Sequence, residues 1–406
     1  MLKGIANAFR VPELRKKLLL TAGILLLYRF GAYLPVPGVP FQDMLTAYQT
    51  GLSSSGAMAV LNLFSGGALS RMSVFSLGIM PYITAQIILQ LMQAVIPSLG
   101  ELAKEGESGQ RKITQYTRYL TIGLALISSI GDLFLFKSYG VSFANMGIAE
   151  GLQNFIVVFT MLVGAIIIMW LGEVITQRGI GNGMSLIIFA NIMSGLPTSL
   201  ISSVANNGNV VLTVITMLVI VAIIPLIVYV ERGQRRIPIQ YAKRVVGRRV
   251  MGGQATYLPI KVNTAGVVPI IFASAILYLP AQLAVFFPNV GWVQAVANAL
   301  SAGWINWVLS VLLIVAFAYF YSSMVFNPEE TADQLRKQGG FIPGVRPGAA
   351  TAAYIKSTID HVTLPGALFM AVLAVVPSII FWFTGNSLVQ AFGGTSILIM
   401  IGVALD

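Results

Sequence analysis

This sequence has almost no ionisable side chains within its apolar stretches, where acid–base or metal chemistry in a membrane would need them. It contains no cysteine and one histidine, His361, which follows Asp360. A single His–Asp pair supplies neither a nucleophile with its base nor the ligands of a metal centre. We therefore expect no catalytic residue, no metal and no cofactor, and we expect that the protein is not an enzyme.

Long apolar stretches dominate the chain instead. Hydrophobic residues make up 56% of it and charged residues 10%. A bilayer core of roughly 30 Å needs about 20 apolar residues in a helix. The sequence therefore predicts an all-α membrane protein with ten transmembrane helices, near residues 18–34, 74–97, 119–137, 154–175, 184–204, 210–230, 265–287, 304–326, 364–384 and 388–405.

Basic residues predict the orientation of these spans, because Lys and Arg beside span ends are retained in the cytoplasm. With the N-terminus inside, every Lys and Arg is cytoplasmic except Arg29, Arg71 and Lys137. We expect both termini in the cytoplasm. Arg29 lies near the outer end of the first span, where we expect a structural role, and Asp132 and Glu173 lie at span ends, where we expect solvated carboxylates.

Two long cytoplasmic connections, about 231–264 and 327–363, carry more basic residues than the orientation signal needs. In the first, two arms alternate as extended chain, and their prolines argue against central strands, so we predict an irregular hairpin. In the second, two prolines and two glycines fix a turn. One interpretation is that both connections are basic only because Lys and Arg keep a connection in the cytoplasm. We interpret their tips as docking points for a partner, with the candidate residues Lys243, Arg244, Arg248, Arg249 and Arg346.

The segment at 61–73 is amphipathic and too short to cross a bilayer. It is either an interfacial helix or a movable re-entrant helix, since irregular backbone at membrane depth occurs only where protein or a cavity surrounds it.

Spans two and seven begin alike, with LGIMP at 77–81 and AGVVP at 265–269. Because five spans per half reverse the orientation, this match indicates an inverted repeat, with halves at 1–205 and 206–406. A channel and a secondary solute transporter both fit this pattern. A transporter should place carboxylates or histidines at the midplane of its spans, and none appears there in spans two, three, six, seven, eight or ten.

Seven motifs resemble those of the SecY family, the channel-forming subunits of the bacterial Sec protein translocon. They cover nearly the whole chain in order, and the chain ends at Asp406, where the family typically continues into a cytoplasmic tail. The motifs are FSGGALS at 64–70, LGIMPYI at 77–83, EGESG at 105–109, RGIGNG at 178–183, VERGQRR at 230–236, FNPEETAD at 326–333 and FGGTS at 392–396.

The resemblance implies an hourglass pore between the halves, closed by an apolar ring and a short plug helix, with a lateral gate toward lipid. Some relatives have a further apolar residue where this chain has Asn191, so we expect a ring of five. Carried onto this sequence, the ring is Ile79, Ile83, Ile187, Ile271 and Ile399; the gate includes Thr84, Ile87 and Leu279; and the plug contains Asn62, Phe64, Ser65, Gly66, Gly67, Ala68, Leu69, Ser70 and Arg71.

The resemblance also implies a function and a set of partners. The protein would conduct unfolded precursors with signal sequences across the bacterial cytoplasmic (inner) membrane and release apolar segments into the membrane lipids. Its small membrane subunits would be SecE and SecG. The SecA ATPase or a translating ribosome would dock on the basic loops and supply the energy.

Overall fold

The computed structural model of the 406-residue chain is mostly helical. It describes residues 11–40, 44, 62, 64–138, 141, 149–207, 210–241, 244–246, 249–251, 256–286, 290–301, 303–384 and 393–405. The helices are α1 (Pro12–Gly31), α2 (Met80–Val95), α3 (Pro97–Lys104), α4 (Glu107–Ser138), α5 (Glu150–Arg178), α6 (Gly183–Asn207), α7 (Val210–Glu231), α8 (Val268–Phe286), α9 (Gly291–Ser301), α10 (Gly303–Val325), α11 (Pro328–Lys337), α12 (Ala349–Thr384) and α13 (Gly394–Leu405).

Several helices have the length and composition of membrane spans, so the chain is a multi-pass membrane protein. Among the described residues, Glu107–Lys137, Glu150–Arg178, Gly303–Lys337 and Ala349–Ile380 are long and apolar enough to cross a bilayer. Shorter apolar helices cover Gly183–Gly195, Met217–Glu231, Val268–Leu277 and Gly394–Leu405. The count of ten spans fits these helices and stays a prediction.

The second predicted span is broken. Residues 74–79 lie in turns, and α2 begins only at Met80, after Gly78 at a φ of 56° and with Pro81 in the first turn. At its other end, Ile96 is extended because the residue before a proline avoids the helical region, and Pro97 starts α3 at 104° to α2. A single helix over 74–97 was therefore too long at both ends.

The segment predicted as one short helix at 61–73 is also interrupted. Asn62 and Phe64 are helical, turns follow, and a 3₁₀ turn covers Leu69–Arg71. Gly66 and Gly67 have φ of 66° and 81°, and Met72 ends the 3₁₀ turn at 43°. These left-handed residues stop a helix from continuing. The described part of the segment is thus a compact series of turns.

The first cytoplasmic connection is more regular than the predicted irregular hairpin. Strand β1 (Gln234–Tyr241) pairs antiparallel with β4 (Thr256–Lys261), and the short β5 (Gly340–Phe341) pairs with the other side of β1. Pro238 lies opposite Tyr257 of β4, but β5 reaches only Gln240 and Tyr241, so among the described residues the other side of β1 is open at Pro238 and a proline is tolerated there. β2 (Arg244–Val246) and β3 (Arg249–Met251) form a second hairpin.

The chain divides into two compact units. The first contains residues 1–205, 275–306 and 406, and the second contains 206–274 and 307–405. The predicted halves at 1–205 and 206–406 stay a prediction. An apolar core of the first unit includes Leu69, Met72, Phe136 and Met161, so the segment before α2 packs against α4 and α5. A core of the second unit joins Ile237 and Ile260 of the sheet to Ile355 of α12.

Candidate functional site

The segment that precedes α2 is buried and held by main-chain hydrogen bonds. Phe64 and Leu69 are 2% and 3% exposed. The Val36 N–H donates to the carbonyl of Met72 over 3.1 Å, and the Val74 N–H donates to that of Leu34 over 2.9 Å. The C-terminal end of the segment is therefore fixed against the chain that leaves α1.

Close helix packing fixes the same end from two further sides. The ring of Phe75 stacks on Tyr28 of α1, with 5.5 Å between the ring centroids, and it occupies the space that a side chain at Gly31 would need. On α5, a side chain at Gly164 would collide with the carbonyl of Val74. The absent side chains at Gly31 and Gly164 let α1 and α5 approach this turn.

Asn191 of α6 makes a buried polar contact with the segment. Its side chain is fully buried, and its Nδ2 donates to the carbonyl oxygen of Phe64 over 2.6 Å and to the Tyr28 hydroxyl over 2.8 Å. The sequence singled out Asn191 only as a polar residue where the ring could have had another apolar one. The structure instead gives it two partners, on the segment and on α1.

Arg29 reaches the next residues of the segment. One guanidinium nitrogen donates to the carbonyl of Gly66 over 2.8 Å, and another donates to the Tyr33 hydroxyl over 3.2 Å. The guanidinium carbons of Arg29 and Arg71 lie 4.9 and 4.2 Å from the centroid of the Tyr33 ring, which is the geometry of cation–π contacts. Arg29 thus has specific partners, whereas snorkelling toward lipid headgroups would require none.

Predicted ring residues of the first unit are buried at the start of α2 and in α6. Ile79 immediately precedes α2 and Ile83 lies one turn later, and both have little exposed surface. Ile187 is fully buried, and its Cδ1 lies 3.5 Å from the position of a Cβ on Gly172 of α5. Ile187 therefore contacts α5 at a glycine.

The matching sequences before α2 and α8 have matching backbones. Gly78 and Gly266 have φ of 56° and 61°, and each helix begins two residues later with a proline in its first turn. The N–H of Ile83 donates to the carbonyl of Ile79 and the N–H of Ile271 donates to that of Val267, so Ile83 and Ile271 occupy the same position of their helices. This local repeat agrees with the predicted inverted symmetry.

The other ring and gate candidates are placed as follows. In the second unit, Ile271 is half-buried and Ile399 of α13 is fully buried. On α2, Thr84 is half-buried and Ile87 is buried. Leu279 falls within α8, but its side chain lies outside the described residues. The closed ring and the gate stay predictions.

Of the docking candidates, Arg346 is the one whose side chain the structure describes. It is exposed in a turn between Gly344 and Gly348, at φ of 83° and 106°, and its carbonyl accepts a bond from Thr351 Oγ1 over 2.9 Å. Arg244 and Arg249 lie in β2 and β3. Lys243 and Arg248 lie outside the described residues, as do the side chains of Arg244 and Arg249.

Sequence reasoning missed basic side chains of the sheet itself. Arg235 and Arg236 of β1 and Lys261 of β4 are exposed, and the Arg236 guanidinium lies 4.8 Å from the ring centroid of Tyr257. The alternation of Ile237 and Ile239 with polar residues predicted the extended arm, and it could also have shown that Arg236 lies on its exposed face. These cations extend the predicted basic surface along the first connection.

The two span-end carboxylates are not solvated as expected. Both oxygens of Glu173 in α5 accept from Arg118 of α4, over 2.8 Å from Nε and 2.6 Å from a terminal nitrogen. Asp132 of α4 is buried. Sequence position placed both near water, but Glu173 lies against Arg118 of the neighbouring helix with its side chain 12% exposed, and Asp132 is 8% exposed. The Arg118–Glu173 pair joins α4 to α5.

Comparisons with known proteins agree with this arrangement. The family model described as SecY matches residues 73–406. The protein translocase subunit SecY of Streptomyces scabiei is 44% identical over 431 residues, covering all of this chain and 96% of that protein. The family model covers the chain from residue 73 to its last residue, and the similarity to the Streptomyces protein covers the whole chain, including the segment at 61–73.

Solved structures share the fold at low sequence identity. One is a SecY channel whose plug domain stabilises the closed state and maintains a membrane seal, with a TM-score of 0.64 and 18% identity over 96% of this chain and 90% of that one. Another is the canine Sec61 of a ribosome–channel complex, with a TM-score of 0.59 and 18% identity over the same shares.

A solute transporter, the alternative that the repeat pattern left open, finds no support in these comparisons. The sequence motifs, the interrupted segment before α2 and the full-length similarity lead to one assignment: this chain belongs to the SecY family of protein-conducting channels.

Proposed function

We propose that this chain conducts unfolded secretory polypeptides across the bacterial cytoplasmic membrane, with both termini in the cytoplasm, and is closed at rest by its own plug. The observation that carries the proposal is the buried, hydrogen-bonded segment directly before α2, since two predicted ring residues lie at the same place, Ile79 just before α2 and Ile83 in its first turn. Family membership and the local repeat at Gly78 and Gly266 support it.

Isoleucine suits a constriction through which many sequences must pass. Apolar side chains offer no hydrogen bond that would select one polypeptide over another, and a narrow apolar passage resists wetting by ions. We propose that Ile79, Ile83, Ile187, Ile271 and Ile399 form such a ring and that residues 61–73 cover it in the resting state. The buried Phe64 and Leu69 favour a plug that rests in protein.

Sideways release would pass the predicted gate at Thr84, Ile87 and Leu279. A segment that partitions into lipid gains roughly 0.3–0.6 kcal/mol for each Leu or Ile, whereas each charge costs about 2.5–3.5 kcal/mol. One opening can therefore sort membrane segments from secreted ones by their composition.

Energy for transport must come from partners, because we expect no catalytic site in this chain. We propose that the SecA ATPase or a ribosome docks on the basic loops around Arg235, Arg236 and Arg346, with SecE and SecG as small membrane subunits. Exposed cations on these loops support the site, and a ribosome accompanies the related canine Sec61 channel. Arginine is well suited to phosphate groups such as those of ribosomal RNA.

The test is reconstitution of the full chain with SecE in vesicles that contain anionic lipid. Addition of SecA, ATP and a secretory precursor should make the precursor resistant to added protease, and the same precursor without its signal sequence is the control. Precursor that stays fully digestible, while SecA binds these vesicles, would contradict the proposal.

A further inference from the structure

The amide of Asn191 is a costly group at its position. It is fully buried in an apolar helix, where a polar group is destabilising unless it is hydrogen-bonded. Both hydrogens of its Nδ2 are used, one on the Phe64 carbonyl and one on the Tyr28 hydroxyl. Among the described residues, its Oδ1 has no partner. The two donated bonds offset this cost, and they join the segment at Phe64 to α1 at Tyr28.

The Phe64 carbonyl depends on this contact. Phe64 is helical, but left-handed Gly66 and Gly67 follow it, so the helix does not continue to supply an N–H four residues on. Asn191 provides the donor that the interrupted helix lacks. The contact is made to the main chain, and it is therefore independent of which side chains the segment carries.

Arg29 holds the segment at a second point through the carbonyl of Gly66. A Cβ at Gly66 would lie 2.7 Å from Asn191 Oδ1 and 2.8 Å from a guanidinium nitrogen of Arg29. Gly66 is thus required both for its φ of 66° and for the approach of two side chains, whereas a Cβ at Gly67 meets nothing within 4 Å.

We propose that Asn191, Tyr28 and Arg29 form a polar latch that positions the plug in the closed channel through the main-chain carbonyls of Phe64 and Gly66. The inference rests on the proposed function, because it takes residues 61–73 as the plug. The latch sets how readily the plug leaves the closed position. Leaving breaks the hydrogen bonds to the carbonyls of Phe64 and Gly66, and water can replace these bonds only after the segment has moved out. Asn191 is a positioning residue that does not touch the translocating chain in the closed state.

The test measures exposure of the plug in the resting channel, without a motor or a precursor. The natural chain has no cysteine, so Ala68→Cys creates a single thiol at a fully buried position. Its rate of reaction with a water-soluble maleimide reports the fraction of time for which the plug is displaced. The reference is the full-length Ala68→Cys protein in vesicles. Four variants of it are labelled in the same way, and each carries one further change: Asn191→Leu, Arg29→Leu, Gly66→Ala or Gly67→Ala.

Removing the partner of a buried carbonyl should raise the labelling rate roughly 10-fold or more in Asn191→Leu. Gly66→Ala and Gly67→Ala share the penalty of a left-handed alanine, since the two glycines have φ of 66° and 81°. Only Gly66→Ala also displaces Asn191 and Arg29, so it should label about 10-fold faster than Gly67→Ala.

Labelling of Asn191→Leu and Arg29→Leu within twofold of the Ala68→Cys parent would overturn the latch. So would equal rates for Gly66→Ala and Gly67→Ala. Arg29→Leu keeps the α6 contact and guards against a variant that merely fails to fold, as does elution of each variant as a single species. Faster labelling of the latch variants, together with a plug deletion that does not leak ions, would instead refute the plug's sealing role and leave the latch in place.

Discussion

Breaking the Arg118–Glu173 pair should destabilise the packing of α4 on α5. The side chains are 35% and 12% exposed, and two hydrogen bonds join them. Loss of one partner from a buried pair costs about 3–5 kcal/mol, and an exposed pair contributes about 0–1 kcal/mol. For a pair whose carboxylate is largely but not fully buried, we expect Glu173→Gln to lower the free energy of unfolding by about 2–3 kcal/mol.

The chain supplies a matched control on the same helix. Arg111 and Glu107 of α4 form a pair whose side chains are 78% and 83% exposed, so Glu107→Gln should cost about 0.3–0.5 kcal/mol. The free energy of unfolding is measured by reversible denaturation in mixed micelles with increasing denaturing detergent. The charge-swapped protein, Arg118→Glu with Glu173→Arg, should recover part of the loss. Equal effects of Glu173→Gln and Glu107→Gln would refute the reasoning from burial.

Two further predictions concern the loops and the gate. Reversing Arg248, Arg249 and Arg346 to Glu should abolish binding of SecA or ribosomes in a flotation assay while the fold persists, and binding of ribosomes to the parent should weaken steeply with salt; unchanged binding would remove the docking role. In Thr84→Cys with Leu279→Cys, oxidation should form a disulfide if the Cα atoms approach to about 4.4–6.8 Å, and it should stop precursor translocation until it is reduced. Full translocation with the bridge formed would mean that the gate helices need not part.

Local sequence signals predicted the helix starts that matter for the site. Glycine followed by proline at Gly78 and Pro81, and again at Gly266 and Pro269, indicated weakened helix starts, and both glycines adopt left-handed φ. Asn327 followed by Pro328 predicted the start of α11, where the Asn327 side chain accepts from the Glu329 N–H. These features depend on neighbouring residues alone, so the sequence suffices.

Features that depend on distant partners were not predictable in the same way. The burial of Glu173 depends on Arg118, 55 residues away, and the two bonds of Asn191 depend on residues more than 100 positions earlier. Pro238 argued against a central strand. It is accommodated in β1 because β5, about 100 residues later in the chain, pairs only with Gln240 and Tyr241. In the segment proposed as the plug, the turns at Gly66 and Gly67 overrode the amphipathic pattern that favoured a helix.

The resting conductance of the channel tests the central claim most directly. If the proposed plug and apolar ring close the pore, the full chain in a planar bilayer should carry almost no ion current. Deletion of residues 61–73, or Ile83→Ser together with Ile187→Ser, should produce frequent openings, since each change removes part of the seal. A parent that conducts as freely as these variants, or variants that stay as closed as the parent, would contradict a pore sealed by its own plug and ring.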